Sequence, residues 1–236
     1  MLAPKASLVT SADLASFLKR VPLFSGLDDS GLTALARVSH LRQIPKGLVI
    51  FDRGDPAASA YVVRAGSVAI VLATPDGREL VINEMRSGDC FGEVALLIDA
   101  PRSASAIARA PSEIIVIPRR EFLAGLASDP LTLRRLLDTV AHRLRASTER
   151  ESALAFLEAP ARLARILLQM EREQRATGFV TISQEEVAQR VGVTRQTAAK
   201  ILGQWRRAGW ILTGRGKIVV LDRAALRRSA EELTAG

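Results

Sequence analysis

Between Gly47 and Ile117 the apolar residues come in short runs separated by glycine: GLVIFDRG, then SAYVVRAGSVAIVLATPDGRELVINEMRSGD, then SEIIVIPRR. Runs of this length with turn residues between them predict the strands of an antiparallel roll or barrel, with Asp76-Gly77 as the clearest hairpin turn. Upstream, residues 11–20 and 28–38 read as short helices. The chain shows no convincing internal repeat and no low-complexity tract.

After Asp129-Pro130 the pattern changes. No glycine or proline occurs from there to about Leu157, and Leu133, Leu137, Val140, Leu144, Ser147, Glu151 and Leu154 alternate at spacings of four and three. This is a heptad seam with a polar middle, and it predicts one long helix that pairs in parallel with a second copy. A helix packed only on its own domain is the alternative. Ala159-Pro160 then marks a hinge.

In the stretch TISQEEVAQRVGVTRQTAAKILGQWRRAGWI, Ser183 followed three residues later by Glu186 is a capping box, so a helix is predicted from there to about Arg190. Val191-Gly192-Val193 makes a tight turn, and Thr194 caps a second helix running to about Arg207. Two helices joined in this way form a helix-turn-helix. On the second helix Ala198, Ile201, Leu202 and Trp205 make one apolar stripe, which leaves Arg195, Gln196, Ala199 and Lys200 on the opposite side; with Thr194 and Thr197 these are the candidate DNA contacts. Arginine and glutamine can pair with guanine and adenine edges in the major groove, and lysine can serve a base or a phosphate. The following GWILTGRGKIVVLD reads as a two-stranded wing whose tip offers Arg215 and Lys217 to phosphates.

Charge agrees with this placement. Of the net +8, residues 1–158 hold 19 basic and 18 acidic side chains, a net of +1, and residues 159–236 hold 14 and 7, a net of +7. An excess of cations in the last third suits a polyanion, because each neutralised phosphate releases condensed counterions. With 48% hydrophobic residues in 236 the chain can bury real cores. The single cysteine, Cys90, admits no internal disulfide, and neither it nor the two histidines, His40 and His142, supply an iron–sulfur, haem or zinc ligand set. No stretch is long and apolar enough to span a bilayer or serve as a signal peptide, so a cytoplasmic protein in a reducing compartment is expected. The sequence contains no catalytic constellation and no Walker-type loop, so no enzyme is expected.

One stretch interrupts the roll. GDCFGEVALLIDAPRSASA, residues 88–106, sets one acid, Glu93, and one base, Arg102, in an otherwise apolar frame. Phe91-Gly92-Glu93-Val94-Ala95-Leu96-Leu97 followed by Pro101-Arg102-Ser103-Ala104 resembles the phosphate-binding cassette of cyclic-nucleotide-binding domains, and the chain resembles the CRP/FNR family of bacterial transcription regulators over nearly its whole length. The resemblance implies an α+β fold: an N-terminal cyclic-nucleotide-binding β-roll (1–128), a long dimerisation helix (129–158) and a C-terminal winged helix-turn-helix (159–236).

It also implies roles. Arg102 would pair with the cyclic phosphate, Glu93 would accept from the ribose 2′-hydroxyl, Gly92 would allow close approach, and Ser103 and Ala104 would complete the cassette, Ser103 as a phosphate or guanine contact. Ser147 and Thr148 would meet the base, one from each subunit, which favours cyclic AMP, with cyclic GMP open. A Glu93–Arg102 ion pair without a ligand is the other reading of the two charges. The implied partners are palindromic double-stranded DNA, a second copy of the chain, and RNA polymerase. Where the cyclic-AMP receptor pattern reads Arg-Glu-Thr-Val-Gly-Arg, this chain has Arg195-Gln196-Thr197-Ala198-Ala199-Lys200, so the DNA site is expected to differ at the base pair that Gln196 meets.

Overall fold

Thr10 starts the first helix: its hydroxyl accepts from the Asp13 N–H, and the Asp13 carboxylate accepts from the Thr10 N–H, closing a capping box on α1 (Ser11–Leu18). Asp28 caps α2 (Asp29–Val38) in the simpler way, accepting from Gly31 N–H at 2.7 Å. The computed structural model describes residues 9–73 and 79–231, so the expected Asp76-Gly77 turn lies outside the described residues. Two compact units divide the chain. One takes the described residues to Leu72 together with Asn83–Arg143, the other Ala73–Ile82 with the chain from Leu144 onward.

The glycine-punctuated region forms β1 (His40–Ile44), β2 (Val49–Phe51), β3 (Ser59–Ala65), β4 (Val68–Ala73), β5 (Glu79–Met85), β6 (Cys90–Phe91), β7 (Ser105–Ala108) and β8 (Ser112–Pro118). They assemble into two four-stranded sheets, in the orders β1-β8-β3-β6 and β2-β7-β4-β5. The continuous apolar run in β8 explains its place between β1 and β3. Ile114 and Val116 enter one core with Val63, Val68, Met85, Phe91 and Ala106, while Ile115 and Ile117 enter another with Leu14, Leu18, Phe24, Leu35 and Phe122. A strand buried on both faces must be apolar at every position rather than at every second one.

Between β6 and β7 the chain makes the short helix α3 (Glu93–Leu97), and after β8 come α4 (Arg119–Ser128) and α5 (Pro130–Phe156). The Asp129 carboxylate accepts from the Leu131 and Thr132 N–H groups and from the Thr132 hydroxyl, which fixes the start of α5. Thr132 and Leu136 on α5 are buried, with Val140 packed beside them. Leu133, Leu137 and Leu144 are exposed, at 43, 61 and 67%. The helix therefore carries two apolar faces: the heptad spacing revealed the exposed leucines, while Val140, counted in the same seam, packs on the core side.

The second unit contains α6 (Ala159–Glu173), β9 (Val180–Thr181), α7 (Gln184–Val191), α8 (Arg195–Arg207), β10 (Ile211–Gly214), β11 (Lys217–Val220) and α9 (Arg223–Glu231). The Ser183–Glu186 capping box forms as the spacing requires, and Gly192 takes φ +73° at the turn into α8. Ala198, Ile201, Leu202 and Trp205 join Leu163, Leu167, Val187, Val191, Ile211 and Ile218 in one core. Two features were not foreseen. The wing has a third strand, β9, paired to β11, and α9 follows it, with Leu226 and Ala230 in the same core as α6. Among the described residues no helix is long and apolar enough to cross a membrane.

Candidate functional site

The cassette is built where β6 ends. Phe91 pairs with Tyr61 of β3, and Gly92 then takes φ +76° to turn the chain into α3, placing Glu93 at its first position. Arg102 follows in the loop before β7. Its backbone is tied at both groups: its N–H donates to the Asp55 carbonyl and its own carbonyl accepts from Gly54 N–H, each at 2.9 Å.

Both charged side chains point inward, with Glu93 1% and Arg102 4% exposed, yet they do not pair with each other. Arg102 donates from Nη1 to the Gly92 carbonyl at 2.5 Å and from Nη2 to the Ser59 carbonyl at 2.7 Å. Its guanidinium carbon lies 4.3 Å from the centroid of the Phe51 ring and 5.3 Å from that of Tyr61. Nε has no partner. Burial pulls the guanidinium pKa down, with Tyr61, Glu93 and Asp55 opposing, but an arginine stays charged under such pressure. The result is a buried cation with an unsatisfied donor, held among the described residues by neutral acceptors and ring faces.

Glu93 has a different partner. Arg143, from α5, donates Nη1 to Glu93 Oε1 and Nη2 to the Cys90 carbonyl, both at 2.5 Å. Sequence reasoning missed this residue. Its signal was its place on the face of Leu136 and Val140, four and three residues apart, where a cation needs a buried acid. The unliganded Glu93–Arg102 pair weighed from the sequence is thus replaced by Glu93–Arg143, and Arg102 is left without a carboxylate at ion-pair distance among the described residues.

Ala104 is buried beside Arg102, and Ser103 is exposed. Ser147 and Thr148 lie on α5 beyond Arg143, where their hydroxyls donate to Glu151 Oε1 and to the Leu144 carbonyl, each at 3.2 Å.

Two consequences can be measured. A Cβ added at Gly92 would stand 2.8 Å from Arg102 Nη1 and on a left-handed backbone. Gly92→Ala is therefore expected to cost about 1–2 kcal/mol from the backbone alone and to displace the arginine, read as a lowered midpoint in urea. An unchanged midpoint would mean that the turn relaxes freely.

The second concerns pH. Burial pushes the Glu93 carboxyl up from its ordinary value, and Arg143 only partly opposes this. A raised carboxyl binds its proton more tightly in the folded chain than in the unfolded one, so its relative advantage lies at acid pH and is lost as pH rises through the raised value. Glu93→Gln lacks that titration. The Tm of the unaltered protein minus that of Glu93→Gln is expected to fall as pH climbs from about 4.5. A difference that grows with pH would show that the Arg143 pair outweighs desolvation.

The second candidate surface is α8 with the wing. Thr194 caps α8, accepting from Thr197 N–H at 3.1 Å, and the two hydroxyls are 2.9 Å apart. Arg195, Gln196 and Lys200 are exposed, Ala199 is half-buried, and the apolar stripe is turned into the core. In the wing, Gly214 pairs with Lys217 across the two-residue turn Arg215-Gly216. Arg215 is exposed, and the Lys217 ammonium lies 4.2 Å from the Phe179 ring centroid while remaining exposed. The arrangement leaves the arginine, amide and ammonium groups of the first two turns of α8 free to donate.

Comparison with known proteins places both surfaces. Residues 41–129 match the family model of the cyclic nucleotide-binding domain and residues 161–229 that of the Crp-like helix-turn-helix domain. A CRP-like cAMP-activated global transcriptional regulator of Mycobacterium tuberculosis is 31% identical over 219 residues, covering 90% of this chain and 98% of that protein. The cyclic AMP receptor protein of Thermus thermophilus is 31% identical over 213 residues, with 90 and 98% covered. Among solved structures, the c-di-GMP responsive global regulator CLP of Xanthomonas campestris shares 29% identity with a TM-score of 0.75, covering 83% of this chain and all of that one. With a cyclic nucleotide-binding domain, a long helix and a winged helix-turn-helix in this order, the chain belongs to the CRP/FNR family, whose members are DNA-binding transcription regulators and not enzymes.

Proposed function

We propose that this regulator acts as a homodimer whose affinity for a palindromic DNA site is set by a cyclic nucleotide, cyclic AMP or cyclic GMP, bound in the roll. The observation that carries the ligand half is Arg102: a buried cation with a free donor and, among the described residues, no neutralising carboxylate fits a singly charged phosphate. Glu93 would take the ribose hydroxyl, Gly92 and Ala104 would line the approach, and Ser103 would reach the phosphate or a guanine. Ser147 and Thr148 would meet the base. The exposed Leu133, Leu137 and Leu144 support pairing of α5 with a second copy, since large apolar side chains repeated on one helix face are otherwise unfavourable in water. Thr194, Arg195, Gln196, Thr197, Ala199 and Lys200 would enter the major groove, with Arg215 and Lys217 on the flanking phosphates. Whether it activates or represses would follow from where its sites lie relative to promoters, and contact with RNA polymerase is what membership of the family implies.

One observation favours a second reading. Glu93 already pairs with Arg143, and Arg102 already donates to two carbonyls, so the pocket satisfies much of itself. The same fold could then bind DNA constitutively or under another signal. Calorimetric titration of the nucleotide-free protein with cyclic AMP and, separately, cyclic GMP decides between them, with DNA affinity measured in parallel. Binding of one nucleotide together with a changed DNA affinity supports the first reading. Binding of neither, with DNA affinity intact, supports the second.

A further inference from the structure

Arg102 has to be held in place by something that does not cancel its charge. A carboxylate at ion-pair distance would neutralise the guanidinium and compete with any incoming anion, and none is present among the described residues. The groups that do touch it are neutral: the carbonyls of Gly92 and Ser59, and the faces of Phe51 and Tyr61. Of the two rings Phe51 is the nearer, at 4.3 Å, within the range where the negative face of an aromatic ring attracts a guanidinium. Phe51 is itself braced. Its ring centroid lies 5.4 Å from that of Tyr61 and 6.1 Å from that of Phe91, and those two stack on each other at 5.2 Å. It ends β2 where the register with β7 shifts between Val49 and Phe51, so its placement belongs to the strand and not to a free loop.

We infer that Phe51 is a positioning residue for the anion-binding arginine: its ring face keeps the Arg102 guanidinium in a fixed plane without neutralising it, so that a cyclic phosphate meets a preorganised cation. This rests on the reading of Arg102 as the phosphate partner. Leucine fills most of the space without the attractive ring face, and the guanidinium then loses its plane; tyrosine keeps both the bulk and the ring face, so it separates lost attraction from lost packing.

The test is calorimetry with cyclic AMP and cyclic GMP on the unaltered protein, Phe51→Leu and Phe51→Tyr. For the nucleotide that the unaltered protein binds, Phe51→Leu is expected to weaken binding about tenfold, and Phe51→Tyr, which retains the ring face, to restore it to within about twofold. Equal affinity in Phe51→Leu, or equal loss in both variants, overturns the inference while leaving the pocket's function intact. Binding of neither nucleotide by the unaltered protein overturns the pocket reading and this inference together. Should Phe51→Leu not fold, the Arg102 Nε–H resonance of the unaltered protein decides. A ring-current upfield shift kept in the nucleotide complex is expected, and an ordinary position in the complex overturns the inference.

Discussion

Arg102→Ala is expected to weaken cyclic-nucleotide binding by about 100- to 1,000-fold, the loss that follows when one partner of a buried, hydrogen-bonded charge pair is truncated. The size follows from the surroundings. Arg102 is almost fully buried and has no competing carboxylate at ion-pair distance among the described residues, so an anion entering the pocket meets a poorly hydrated cation rather than a screened one. The stability effect should be much smaller than for an ordinary buried ion pair. Truncation leaves the Gly92 and Ser59 carbonyls without their donor, but it also removes a cation that burial disfavours and a donor, Nε, that has no acceptor among the described residues. Nucleotide-free DNA affinity should be unchanged. Arg102→Lys tests the same point without a cavity, since a lysine keeps the charge but lacks the planar fork. Unaltered nucleotide affinity in both variants would remove the cassette from the mechanism.

Arg195→Ala is expected to lower affinity for the cognate palindrome by about 1,000-fold. A bidentate arginine–guanine contact discriminates by about 1–3 kcal/mol, and the proposed two-fold symmetric dimer would make it twice. Arg195 is the first residue of α8, exposed and not bound to any carboxylate among the described residues, so the alanine should leave the fold and the Thr194 cap intact. Binding to unrelated DNA should fall far less, since that depends on phosphate contacts. Equal losses on both DNAs would assign Arg195 to the backbone instead of a base. At the next position, Gln196→Glu removes the amide donors and keeps an acceptor, so site selection is expected to move from adenine toward cytosine at one symmetric base pair. Selection that returns the same site would exclude Gln196 from base readout.

The parts of this protein that were legible in its sequence are those whose physics is local. Ser183 and Glu186 are three residues apart and close their capping box on the spot, and the alternation that buries Ala198, Ile201, Leu202 and Trp205 is a property of one helix. The glycine-separated apolar runs became strands because two-sided burial leaves little else for a run such as Ile114–Ile117. What stayed hidden depends on distant partners. Arg143 is one of several arginines on α5, and only the fold shows that Glu93, fifty residues earlier, is the acid it meets. Likewise the two residues of β9 are too few to carry a periodic signal and become a strand only by pairing with β11. In the cassette the residue types were legible, but the neutral cradle of Arg102 was not, because main-chain carbonyls and a ring from β2 leave no mark in the motif.

The Glu93–Arg143 bond links the first residue of the cassette helix to the middle of the long helix. Any ligand that changes the strength of that bond changes the free energy of the arrangement of α5, and thermodynamic linkage makes the exchange symmetric. On the proposed function, a nucleotide that raises affinity for DNA has its own affinity raised by DNA by the same factor. Promoter occupancy would then hold effector on the protein as the effector level in the cell declines, so that a bound regulator releases its signal later than a free one.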